Sequence, residues 1–167
     1  MKYKLLTTQI TIRVRHEDRT LYRIQALKNF GDVKAGDLGG WVEGEWNLSQ
    51  EDLCWVYGEG KVYGNARVSE NAEVSGNARV YGSAWVYGIA EVSENAVIFG
   101  YAIVYGNARV SGNAQVSGEA EVSGNAQVSG KAKLTKGKYT TGTYTGKEEV
   151  KEESLDIVNR INKVLGE

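Results

Sequence analysis

From Lys61 to Ala132 the chain repeats one six-residue phrase twelve times without an insertion, and the phrase reads x-Val-(Tyr/Ser)-(Gly/Glu)-x-Ala. The second position is Val in every unit except at Ile98, and the sixth is Ala from Ala66 to Ala132. One branched and one small apolar side chain per six residues must therefore face a common interior. A six-residue period would scatter them around an α-helix, whereas short strands joined by tight corners return every sixth residue to an equivalent inward site. Valine favours that pleated, half-buried setting. Gly holds the fourth position in ten of the twelve units and Asn the fifth in seven; both tolerate the positive φ of a sharp corner. With no proline anywhere in the chain, glycine and asparagine must supply the corners. The pattern is that of a hexapeptide β-helix, in which each coil covers the one below and no unit buries its core alone.

The flanks divide the rest of the 167 residues. Trp55–Gly60 and, more loosely, Lys133–Lys138 extend the register to fourteen units. Val42 and Leu48 are also six apart but Leu48 and Val56 are eight apart, so an insertion near Ser49–Cys54 predicts a loop or bulge at the start of the helix. In residues 1–40, Ile10, Ile12 and Val14 alternate with polar residues, as do Tyr22, Ile24 and Ala26, around His16-Glu17-Asp18-Arg19. That predicts a β-hairpin cap, as an open stack of strand edges requires. The expected domains are the cap at 1–40, the β-helix at 41–138, a Thr/Gly/Tyr connector at 139–146 and an amphipathic helix at 147–165. The helix rests on a capping box at Thr145 and Glu148 and on the stripe Val150, Ile157, Val158, Ile161, Val164 and Leu165. It lies on its own domain or pairs with another subunit; the residues leave both open.

A net charge of -1 carries no basic stripe for long nucleic acid or an anionic membrane. Cys54 is the sole cysteine and His16 the sole histidine, so no internal disulfide, metal-ligand spacing or paired histidine and acid is expected. The first twelve residues make a poor signal peptide, and the reading is of a cytoplasmic protein without cofactor, metal or catalytic constellation.

The phrase resembles the hexapeptide repeat of the left-handed parallel β-helix superfamily. The run Leu21-Tyr22-Arg23-Ile24-Gln25-Ala26-Leu27, then Phe30-Gly31-Asp32-Val33, Gly36 to Val42, Asn47-Leu48-Ser49 and Cys54-Trp55-Val56-Tyr57, resembles bacterial and prophage hexapeptide-repeat proteins of the YdcK-like type. The resemblance implies an all-β, left-handed parallel β-helix with three hexapeptides per triangular coil. The fourteen units then make about five coils, roughly 22 Å tall. It also implies a trimer. Many relatives transfer acyl groups from coenzyme A with a histidine as general base, so acyl-CoA-dependent transfer through His16 stands as the alternative function. The coils hold no inserted loop to cover such a substrate.

A three-sided coil sorts the outward positions into walls. Wall one, with units starting at 55, 73, 91, 109 and 127, is polar beyond Trp55 and Tyr57. Wall two stacks Tyr63, Tyr81 and Phe99, flanked by Val97 and Tyr101, and wall three carries Trp85, Tyr87, Ile89, Ile103 and Tyr105. Trp85, Ile89, Val97, Phe99, Tyr101 and Ile103 depart from the outward pattern together in the middle coils, which predicts one merged patch and an interface, most simply with further copies of the chain. The plainer reading is that the aromatics stack along neighbouring strands for stability alone. A prophage setting adds a further expectation: an accessory protein that binds and neutralises a host factor, either a protein or a nucleotide-like signal between subunits. Trp85, Tyr87 and Tyr105 would then stack on a base, and Arg67 or Arg79 would meet phosphate. Ice binding is disfavoured, because the regular wall bears serine and charge rather than a threonine ladder.

Overall fold

The computed structural model describes residues 1–146, which are all β apart from a 3-10 turn at Glu45–Asn47. The first two residues of each hexapeptide form a rung, as in Lys61–Val62 and Trp85–Val86. Every third rung pairs in parallel and in register: Trp85 lies between Arg67 and Ile103, and Val86 between Val68 and Val104. The chain is a parallel β-solenoid of about six turns, with the wall that begins at Trp55–Val56 holding six rungs. The three walls are those the phrase implies, since Glu73, Glu91 and Arg109 share one, Lys61, Arg79 and Val97 the second, and Arg67, Trp85 and Ile103 the third.

At the ends of each rung and at the corners, N–H groups donate to carbonyls one turn on. On wall two Arg79 N–H donates to Ala96 O at 3.0 Å, Tyr81 N–H to Ile98 O at 2.9 Å and Ser83 N–H to Gly100 O at 2.8 Å. Inside, the repeat Val and Ala side chains are buried from end to end, so the core is a column of interlocked small aliphatics. The corners are tight: Gly82 has φ 69°, and a Cβ there would sit 2.9 Å from the Gly100 nitrogen. Glu70 and Glu94 adopt the same left-handed conformation at φ 55° and 57°. Each carboxylate accepts the N–H of the corner glycine one turn above, Gly88 at 2.9 Å and Gly112 at 2.8 Å.

The hairpin expected in the cap is present, as β1 (Tyr3–Val14) paired antiparallel with β2 (Glu17–Ala26). From β2 the sheet passes to β3 (Leu38–Val42), which lies parallel to the Lys61–Val62 rung. The cap therefore prolongs wall two rather than lying across the coil. The base of the core is closed by rings, with Tyr3 and Phe30 edge-on to Trp55 at 6.0 and 5.3 Å between centroids. At the expected insertion Leu48 still bridges Val68 and takes its place in wall three, while the added residues bulge outward before Cys54. Lys2 ties that bulge down. Its buried ammonium donates to the carbonyls of Glu51, Asp52 and Cys54 at 3.0, 3.4 and 2.8 Å and to Cys54 Sγ at 3.4 Å. Burial lowers the Lys2 pKa and raises that of the Cys54 thiol.

At the other end the stretch expected as a connector carries two further rungs, Lys138–Tyr139 and Thr143–Tyr144, paired with Glu121–Val122 and Gln127–Val128. The units here shrink from six residues to five, as the spacing of Leu134, Tyr139 and Tyr144 shows. Losing a corner residue narrows the turn, and Tyr139, buried and edge-on to Tyr144 at 5.0 Å, fills the end of the core. The expected C-terminal helix at 147–165 lies outside the described residues. Among those described, no helix is long and apolar enough to cross a membrane.

Candidate binding surface

Wall three gathers six of the residues singled out in the repeat. Ile103 pairs with Trp85 on adjacent rungs, and Tyr87 stacks on Tyr105 with centroids 5.0 Å apart and planes 5° from parallel. Tyr101 stands on the corner entering this wall and Ile89 on the corner leaving it. Trp85, Ile89 and Tyr101 are 47%, 54% and 70% exposed, while Tyr87, Ile103 and Tyr105 are half-buried. Above them the surface turns polar: the Tyr105 hydroxyl donates to Glu121 Oε1 at 2.6 Å. Burial, then the neighbouring Tyr105, raises the Tyr87 phenol pKa.

Wall two carries its own ladder around the Tyr101 corner. Tyr63 stacks on Tyr81 at 5.0 Å and Tyr81 on Phe99 at 5.2 Å, with Val97 half-buried beside them. The ladder's lower end is not available surface. Tyr63 is only 2% exposed, packed with Leu21 and Trp41 under the hairpin residues Ile10, Ile12 and Val14, and burial pushes its phenol up to about 12. Its ring joins the cap to the coils. Arg79 is exposed and lies close enough to Tyr63 to oppose that shift. Arg67 stands over the Trp85 ring with Cζ 5.9 Å from the centroid.

Two concavities were not legible in the repeat. A groove of about 530 Å³ lies between the hairpin tip, from Val14 to Arg19, and the ladder of Tyr63, Tyr81 and Phe99; His16 lines it. A second cleft, of about 310 Å³, is lined by Glu45, Trp46, Leu48, Gln50, Arg67 and Trp85, among others. Trp46 is the residue the sequence reading passed over. Counted from Trp41-Val42, it holds the sixth position, the slot filled by alanine in all twelve regular units. An indole cannot enter that slot, so the chain bends through the 3-10 turn and turns the ring outward, 57% exposed. Trp46 Nε1–H donates to Gly64 O at 2.8 Å, and only a glycine at 44 leaves room for the ring beside it. Asn47 goes inside instead, accepting from the N–H groups of Glu43 and Gly44 and donating to the carbonyls of Gly64 and Ala66.

A family described as YdcK Beta solenoid repeat matches residues 72–88 and 104–118. Over 42 residues the chain is 43% identical to a protein of Escherichia coli (strain K12) named uncharacterized acetyltransferase YdcK, an alignment covering 25% of this chain and 13% of that protein. That alignment spans a small part of the relative's length, and the residues matched by the family fall on the coils. In its repeat phrase and parallel register the chain is a hexapeptide-repeat β-solenoid, and its coils are similar to the YdcK β-solenoid repeat.

Proposed function

We propose that this chain is a non-enzymatic binding protein that self-associates, as a closed trimer, through wall three. The observation that carries the reading is the exposure of Trp85 on wall three and of Ile89 and Tyr101 on the corners that bound it, at positions where most other units carry Asn, Ser, Glu, Gln, Lys or Arg. A rigid solenoid cannot fold these rings inward, because the inward slots are filled. Water is excluded from them only by another surface. A second copy offers the same flat, stacked rings, and a ring of copies closes without leaving an open end. As a phage or prophage accessory protein, the assembly would act by occupying a host factor in the host cytoplasm.

Light scattering tests this. The native chain should run at a multiple of its own mass, and Trp85→Ala with Tyr105→Ala should run at the mass of one chain. Equal masses for the two would discard wall three as the contact face.

One observation favours a second reading, acyl transfer from coenzyme A. His16, the sole histidine, lines the groove against the aromatic ladder rather than standing clear of the coils, and a general base must come within hydrogen-bond reach of the proton it takes. Calorimetry with acetyl-CoA against native protein and His16→Ala decides between the two. Heat of binding together with turnover lost in the variant supports transfer, and no heat at millimolar ligand removes it.

A further inference from the structure

We propose that the cleft between Trp46 and Trp85 is a guanine-nucleotide site, with Glu45 reading the base and Arg67 meeting the phosphate. Both indoles line one space of about 310 Å³, floored by Leu48 and Val68. That volume is at the small end of ligand pockets and suits a flat ring with its phosphate left at the rim. Both rings are held in advance, Trp46 by its bond to Gly64 O and Trp85 by its rung and the Arg67 guanidinium. Bases stack readily on such exposed aromatic faces.

The charges choose the ligand. Glu45 and Arg67 line the same cleft without meeting, and among the described residues neither side chain has an ion-pair partner. Opposite charges that line one space without pairing suit a ligand that carries both a donor edge and an anion. A carboxylate is an acceptor only, with two oxygens side by side. Guanine offers two adjacent N–H donors on its Watson–Crick edge, the ring N1–H and the exocyclic amine. Adenine sets an acceptor beside its amine and would turn a lone pair toward Glu45. Arg67, exposed at the rim, takes a phosphate as a planar donor fork. The cleft shares Trp85 with the face proposed for self-association, and its experiment reads nucleotide binding and mass separately.

Four tryptophans are present, of which Trp41 and Trp55 are buried, so indole fluorescence open to quenching comes from Trp46 and Trp85. Titrating the full chain with guanosine 5′-monophosphate should quench that emission and protect it from iodide. Adenosine 5′-monophosphate should bind at least tenfold more weakly. Glu45→Gln should erase the preference between the two bases, and Arg67→Gln should erase the preference for guanosine 5′-monophosphate over guanosine. Trp46→Ala should abolish quenching while leaving the mass by light scattering unchanged. Equal binding of both nucleotides by the native chain, or no quenching at millimolar guanosine 5′-monophosphate, would overturn the assignment. Loss of mass in Trp46→Ala with nucleotide binding retained would overturn it equally and make the cleft part of the subunit contact.

Discussion

Glu70 and Glu94 stand where ten of the twelve units have glycine, and both pay a conformational cost at positive φ. What offsets it is an acceptor: the carboxylate reaches the N–H of the glycine one turn above, which no backbone group of the coil meets. Strain and hydrogen bond have opposite signs and similar size, about 1 kcal/mol each. Glu94→Gly loses both and should leave the denaturation midpoint nearly unchanged. Glu94→Ala keeps the strain and loses the acceptor, so it should cost about 1–2 kcal/mol by urea unfolding. An undiminished midpoint in Glu94→Ala would show that the carboxylate contributes nothing, and equal effects of the two substitutions would show that the positive φ costs nothing. Glutamate at the corner position looked like an ordinary turn residue in the phrase; its partner lies in the next coil, a full turn away in sequence.

The last turn shows how an element departs from the phrase without leaving the fold. Residues 139–146 read as a connector because valine and alanine vanish, yet the parallel pairing continues with five-residue units. A shorter perimeter leaves less room around the axis, and Tyr139 and Tyr144 occupy it as a plug. A constant period with a constant inward residue does not describe this turn, so the phrase does not reveal it. Tyr139→Ala should open the top of the core and cost about 3–5 kcal/mol, as truncation of buried aromatics does. Hydrogen exchange should localise the loss: amides of the upper turns exchange faster while those around Trp55 stay protected. At the other end Trp46 departs from the inward alanine column in a unit that precedes the twelve regular ones, where the six-residue spacing of Val42 and Leu48 is kept.

Across the whole molecule, three units to a turn impose a rule on length. Removing residues 91–108, one full turn, brings Ile89 and Ala90 onto Arg109 with every later rung still on its own wall. That deletion should fold, with cooperative melting and unchanged β signature by circular dichroism. Removing residues 91–96 alone keeps the hexapeptide phrase but moves each later rung one wall round. The aromatic ladders are then separated, and the narrowed top turn meets the wrong rungs. Cooperative unfolding should survive the first deletion far better than the second; equal stability of both would mean that walls are interchangeable. A nearest-neighbour solenoid tolerates whole-turn edits because each turn contacts only those above and below.

The repeat by itself determined the β architecture, the inward column, the corner residues and the sorting of outward residues into walls, because one residue of each type per unit permits a single inward face. Tertiary structure decided what the outward residues can do. Tyr63 and Tyr81 are consecutive in one ladder, yet the hairpin buries the first and leaves the second on a groove. Trp46 and Trp85 are remote in sequence but line one cleft with Arg67 between coil and flank. Period and polarity are local properties of the chain. Which outward side chain meets solvent, a flank or a ligand depends on segments that return from far away, and no local pattern records that return.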